Sequence, residues 1–73
     1  MRFLTTCTGI NINCDYIKTI FLHPNEKKPE KLDIVFLMID NRGIVYYTYD
    51  TKETAQLACE ELISILEKLK NDN

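Results

Sequence analysis

The chain has 73 residues with a formal net charge of −2, and 45% of its residues are apolar against 27% charged. A chain of that length holds one domain, read here as 1–73, whose core alone supplies a margin of roughly 3–5 kcal/mol. Acidic balance argues against a surface built to coat phosphate backbones, and no apolar run approaches the ~20 residues that span a bilayer.

The start, Met1 to Cys7, carries one basic residue and no long apolar stretch of the export type. A cytoplasmic location is therefore expected, with Cys7, Cys14 and Cys59 as reduced thiols. Short strands are expected over about 2–7 and 10–12, joined through the turn signal Thr8-Gly9. Asn13-Cys14-Asp15 is rich in side chains that bond their own backbone and predicts a tight corner. A strand over 16–22 follows, carried by the β-branched Ile17, Thr19 and Ile20. Residues 23–31 contain both prolines and no periodicity, so they form a polar surface loop.

Strand residues resume over 32–39. Asp40-Asn41-Arg42-Gly43 fits a type I turn with its glycine at positive φ, and 44–49 is the return strand. Asp50 and Glu53 are spaced as a capping box, with Thr51 as an alternative cap, so a helix is expected over about 51–70. Ala55, Ala58, Cys59, Leu62, Ile65, Leu66 and Leu69 recur at the 3.6-residue period of one buried stripe. Lys68 and Lys70 fall in its last turn, where cations suit the negative helix end, and 71–73 is a frayed tail.

The fold class is α+β: a small antiparallel sheet of four to five strands, followed by one C-terminal amphipathic helix packed on one face. Alternation along the hairpin places Val35, Leu37, Ile39, Val45, Tyr47 and Tyr49 on one face and Ile34, Phe36, Met38, Tyr46 and Thr48 on the other. Both faces are apolar and one helix covers one of them. The helix is assigned the Val35/Leu37/Tyr47 face. The other face is then covered either by the N-terminal strands curling over it or by a partner. The candidate interaction residues are accordingly Ile34, Phe36, Met38 and Tyr46, with Leu57 added because it lies opposite the helix stripe.

Chemistry finds little footing. Cys7, Cys14, His23 and Cys59 match no zinc spacing, and Cys59 sits in the apolar stripe as a small hydrophobe. With Gly9 and Gly43 as its two glycines the chain has no phosphate-binding loop, and it contains no hydrolase or metalloprotease motif. No enzyme activity, cofactor or metal is expected. Tyr46, Tyr47 and Tyr49 with Arg42 and Lys18 are a faint version of a base-stacking surface, but adjacent tyrosines point to opposite faces.

Ile12-Asn13-Cys14-Asp15-Tyr16-Ile17, Gly43-Ile44-Val45-Tyr46 and Tyr49-Asp50-Thr51-Lys52-Glu53-Thr54-Ala55 resemble segments of short uncharacterised proteins from Gram-positive bacteria, their phages and mobile elements. The resemblance implies a strand-rich start with a terminal helix and carries no functional residue with it. The expected function is a non-enzymatic protein-interaction module that self-associates as a homodimer. A phage-type inhibitor or accessory factor acting on a host protein is the alternative, and a weak single-stranded nucleic-acid binder is the third reading.

Overall fold

The computed structural model describes residues 3–71. Arg2, the Lys70 side chain and the Asp72-Asn73 end of the expected tail lie outside the described residues. In chain order come β1 (Phe3–Thr5), β2 (Asn11–Asn13), one 3-10 turn (Cys14–Tyr16), β3 (Ile17–Pro24), β4 (Leu32–Met38), β5 (Gly43–Tyr49) and α1 (Lys52–Asn71). The class is α+β with every strand before the helix. The strands do not form one sheet of four to five; β1 and β2 pair with each other, and β3, β4 and β5 form a separate antiparallel meander. The break lies at the 3-10 turn, where the Asn13 side chain accepts the Asp15 N–H at 2.9 Å and redirects the chain.

The β1–β2 and β4–β5 hairpins close in the same way. Gly9 N–H bonds the Thr6 carbonyl while Thr6 N–H bonds Ile10; likewise Asn41 N–H bonds Met38 while Met38 N–H bonds Arg42. Each is a type I turn followed by a left-handed residue, Gly9 at φ 87° and Asn41 at φ 69°. The second turn therefore sits two residues before its expected place, and asparagine rather than Gly43 takes the left-handed position. Asparagine tolerates that conformation because its short polar side chain bonds locally. Asn41→Val should therefore lose about 1–2 kcal/mol in urea unfolding. Gly43→Ala should lose nothing, since its φ is ordinary and the added Cβ meets Val35 at a normal 3.4 Å.

The shifted turn pairs Leu37 with Gly43, Phe36 with Ile44 and Val35 with Val45. Moving the turn by two residues slips the pairing by four, an even number that preserves the faces, whereas an odd slip would exchange them. A bulge between Ile34 and Val35 leaves Tyr46 as the extra residue, after which Ile34 pairs with Tyr47 and Leu32 with Tyr49. Tyr47 and Tyr49 thus join the face of Ile34, and Thr48 moves to the opposite one, reversing the expected positions of all three. A second bulge, at Lys18, lies between the Ile17–Met38 and Thr19–Leu37 pairs of β3 and β4.

One core results. Ile17, Ile20, Ile34, Phe36 and Met38 from the meander, Ile12 and Cys14 from the N-terminal segment, and Cys59, Leu62 and Leu66 from the helix form one buried cluster. The N-terminal hairpin joins the helix side instead of curling over the other face. Thr51 caps the helix, its Oγ1 accepting the Thr54 N–H at 3.2 Å, while Asp50 pairs with Lys31 at 3.0 Å. Ala55, Cys59, Leu62 and Leu66 are buried as the period requires, but Ile65 is 46% exposed. It lies at the margin of the stripe, beyond Ala58.

Phe36 stacks on Tyr46 and Tyr47 packs on Tyr49, each with ring centroids 4.9 Å apart. Burial first, then Tyr46, Tyr47 and Glu61, pushes the Tyr49 phenol above its ordinary 10.0. Burial, then Glu60, pushes the Cys59 thiol above 9.0. The folded state holds both protons more tightly than the unfolded chain, so this contribution is full below about pH 9 and is lost as pH rises through the folded values. Thermal melts should show stability falling above pH 9, and Tyr49→Phe should flatten the fall above pH 10.

Candidate functional site

The helix covers the face of Ile34, Phe36, Met38 and Tyr46, opposite to the expected assignment. Ile34 and Phe36 are wholly buried, Met38 is buried, and Tyr46 is half-buried against the same core. Ile34, Phe36 and Met38 form the interior and offer no contact surface, and Tyr46 keeps only part of its ring in solvent. The physical reason is visible one strand earlier: β3 presents Ile20 and Leu22 to this side and Thr19 and His23 to the other. The large apolar groups of all three strands converge on the helix side, while the opposite side mixes apolar with polar ones. Asp33 and His23, read with β3, were the signal that could have oriented the sheet. Leu57 stands 62% exposed on the outer side of the helix, as its wheel position requires.

Three cross-strand rows build the open face. Thr19, Leu37 and Gly43 form the first; Phe21, Val35 and Val45 the second; His23, Asp33 and Thr48 the third. The middle row is apolar throughout, and its ends, Phe21 and Val45, are 38% and 41% exposed. Above it lies a shallow hollow of about 470 Å³ bounded by this row, Gly43 and the start of the loop at Asn25, Glu26 and Lys27. Gly43 keeps that side low because it carries no side chain.

The polar end of the face is well ordered. Asp33, a buried carboxylate, accepts the Thr48 hydroxyl at 2.6 Å and the Asn25 amide at 2.9 Å. The Asn25 Oδ1 in turn accepts the Lys27 and Lys28 N–H groups, each at 3.0 Å. Asn25 N–H closes the loop base on the Lys31 carbonyl. His23 Nδ1–H donates to the Pro24 carbonyl at 2.8 Å. At the far end Asp40 accepts the Arg42 N–H and Nε–H, which hold its exposed carboxyl below the usual range against the opposing effect of desolvation.

Sequence reasoning missed Phe21, Val45 and the Asn25–Asp33–Thr48 chain. Cys7 is exposed and Cys14 and Cys59 are buried, and none of the three is in a disulfide. Among the described residues no three His, Cys, Asp or Glu side chains stand as a metal-holding group. No helix among them is long and apolar enough to cross a membrane. The arrangement suits binding: an apolar row with a polar anchor at one end. Compared with known proteins, the chain matches no family model, no curated protein and no solved structure.

Proposed function

We propose that the chain is a non-enzymatic cytoplasmic protein-interaction module whose first partner is a second copy of itself. The observation that carries this reading is the pair of exposed apolar side chains, Phe21 and Val45, that flank the buried Val35 on the sheet face the helix leaves open. Exposed apolar patches on soluble domains mark interaction sites. A domain of this size also has little stability to spare, and association with another copy adds to it by mass action. Base stacking is a poorer account, because Tyr46, Tyr47 and Tyr49 all lie on the helix side, away from the open face.

Sedimentation equilibrium from low to high micromolar concentration tests the proposal. A monomer–dimer equilibrium should appear, with the thermal midpoint rising with concentration. A monomer of unchanged mass across that range would refute self-association.

A further inference from the structure

Resting on that reading, we infer that two copies pair edge to edge through β3, antiparallel, around a two-fold axis at Phe21. Ladder bonds alternate along an antiparallel pair. The Asn25–Lys31 bond fixes their phase, so Thr19, Phe21 and His23 bond inward to β4. The main-chain N–H and C=O groups of Ile20 and Leu22 therefore point away from the sheet. Among the described residues no strand pairs with that edge.

The ends of β3 narrow the register. Pro24 has no N–H and falls at an outward position, so a strand placed opposite it loses a donor. Lys18 is the bulged residue and leaves the regular ladder. The register that uses only Ile20 and Leu22 pairs each Ile20 with the Leu22 of the second copy and closes four main-chain bonds. It sets the two Phe21 side chains against each other at the axis, in the closer, non-hydrogen-bonded type of pair. Both rings lie on the open face, where each gains the cover it lacks. The apolar row then runs Val45–Val35–Phe21–Phe21–Val35–Val45 across six strands.

Area argues against a face-to-face pair. Three strands about 4.8 Å apart and three rows about 6.7 Å apart make an open face of roughly 280 Å², against about 800 Å² hidden per partner in a stable interface. The whole chain exposes 5240 Å². A monomeric protein of 8.6 kDa exposes about 4700 Å², so the surplus is about 500 Å². Edge pairing draws on more than the face. On the helix side of the same edge a hollow of about 240 Å³, bordered by Lys18, Ile20, Ile63 and Glu67, lies along the seam, and Ile63 is 38% exposed beside it.

The test combines mass measurement with disulfide trapping in a Cys7→Ser background. Phe21→Cys should form a disulfide-linked dimer on mild oxidation, because Cα atoms in such a pair lie about 4.5 Å apart, within disulfide reach. Thr19→Cys should not, since the two copies of that position stand roughly 14 Å apart in this register. Phe21→Lys should keep the monomer's circular dichroism while weakening association at least about tenfold, by setting like charges together. A dimer that persists in Phe21→Lys, or that traps equally well through Thr19→Cys, overturns edge pairing and leaves self-association standing. A parent chain that stays monomeric overturns both.

Discussion

Replacing Phe36 with alanine should leave the chain largely unfolded at 25 °C. The ring is wholly buried in the central strand and stacks on Tyr46 at 4.9 Å. It meets side chains from both neighbouring strands and lies in the cluster shared with the helix. Truncating a buried phenylalanine to alanine removes about 3–5 kcal/mol, partly as lost transfer energy and partly as the cavity left behind. The whole margin of a domain this small is of the same size. Far-ultraviolet circular dichroism with a urea titration reads the outcome, and Phe36→Leu should remain folded at reduced stability. A Phe36→Ala chain that unfolds within 1 kcal/mol of the parent would show that the core can collapse around the missing ring.

The second large effect is expected at Asn25, in a loop that composition alone marks as mobile surface. Its amide donates to the buried Asp33 carboxylate, and its oxygen accepts two loop N–H groups. Asn25→Ala removes all three bonds and leaves Asp33 with the Thr48 hydroxyl alone. Bonds to charged groups contribute about 1.5–3 kcal/mol each and neutral ones about 1, less where water replaces them, so a loss of about 2–3 kcal/mol is expected. The loop should also open before the rest of the fold, exposing Lys27 to trypsin. Thr48→Val separates the two effects: it weakens Asp33 from the other side and should leave the loop resistant. Equal cleavage of both variants would mean that the loop is held by something other than Asn25.

These residues also show what could be read in advance. The helix was legible because one stripe of apolar residues repeats over about four turns, and because Thr51 was already one of two candidate caps. Leu57 was legible for the same reason. Alternation also sorted Ile34, Phe36 and Met38 from Val35 and Leu37, and a turn displaced by two residues left that sorting intact. What failed depended on single residues whose role only tertiary context decides. Asn41 took the left-handed position in place of Gly43. Tyr46 bulged and carried Tyr47 and Tyr49 across the sheet. The choice of covered face needed β3 and β4 read together, since Thr19, His23 and Asp33 all lie on the side that the helix leaves open. Asn25 was hidden because a loop's internal bonds leave no periodic trace.

The bulge at Tyr46 has a consequence for assembly size. A sheet able to pair along both margins adds copies without limit and grows into a ribbon, the route by which strand-rich proteins precipitate. Here the margin formed by β5 is interrupted: its extra residue breaks the ladder, and the Tyr46 carbonyl is taken by the Cys7 N–H at 2.9 Å. The two margins of the meander are thus unequal. The proposed pairing through the Ile20–Leu22 stretch of β3 would use that margin up on both copies at once, so growth would end at two.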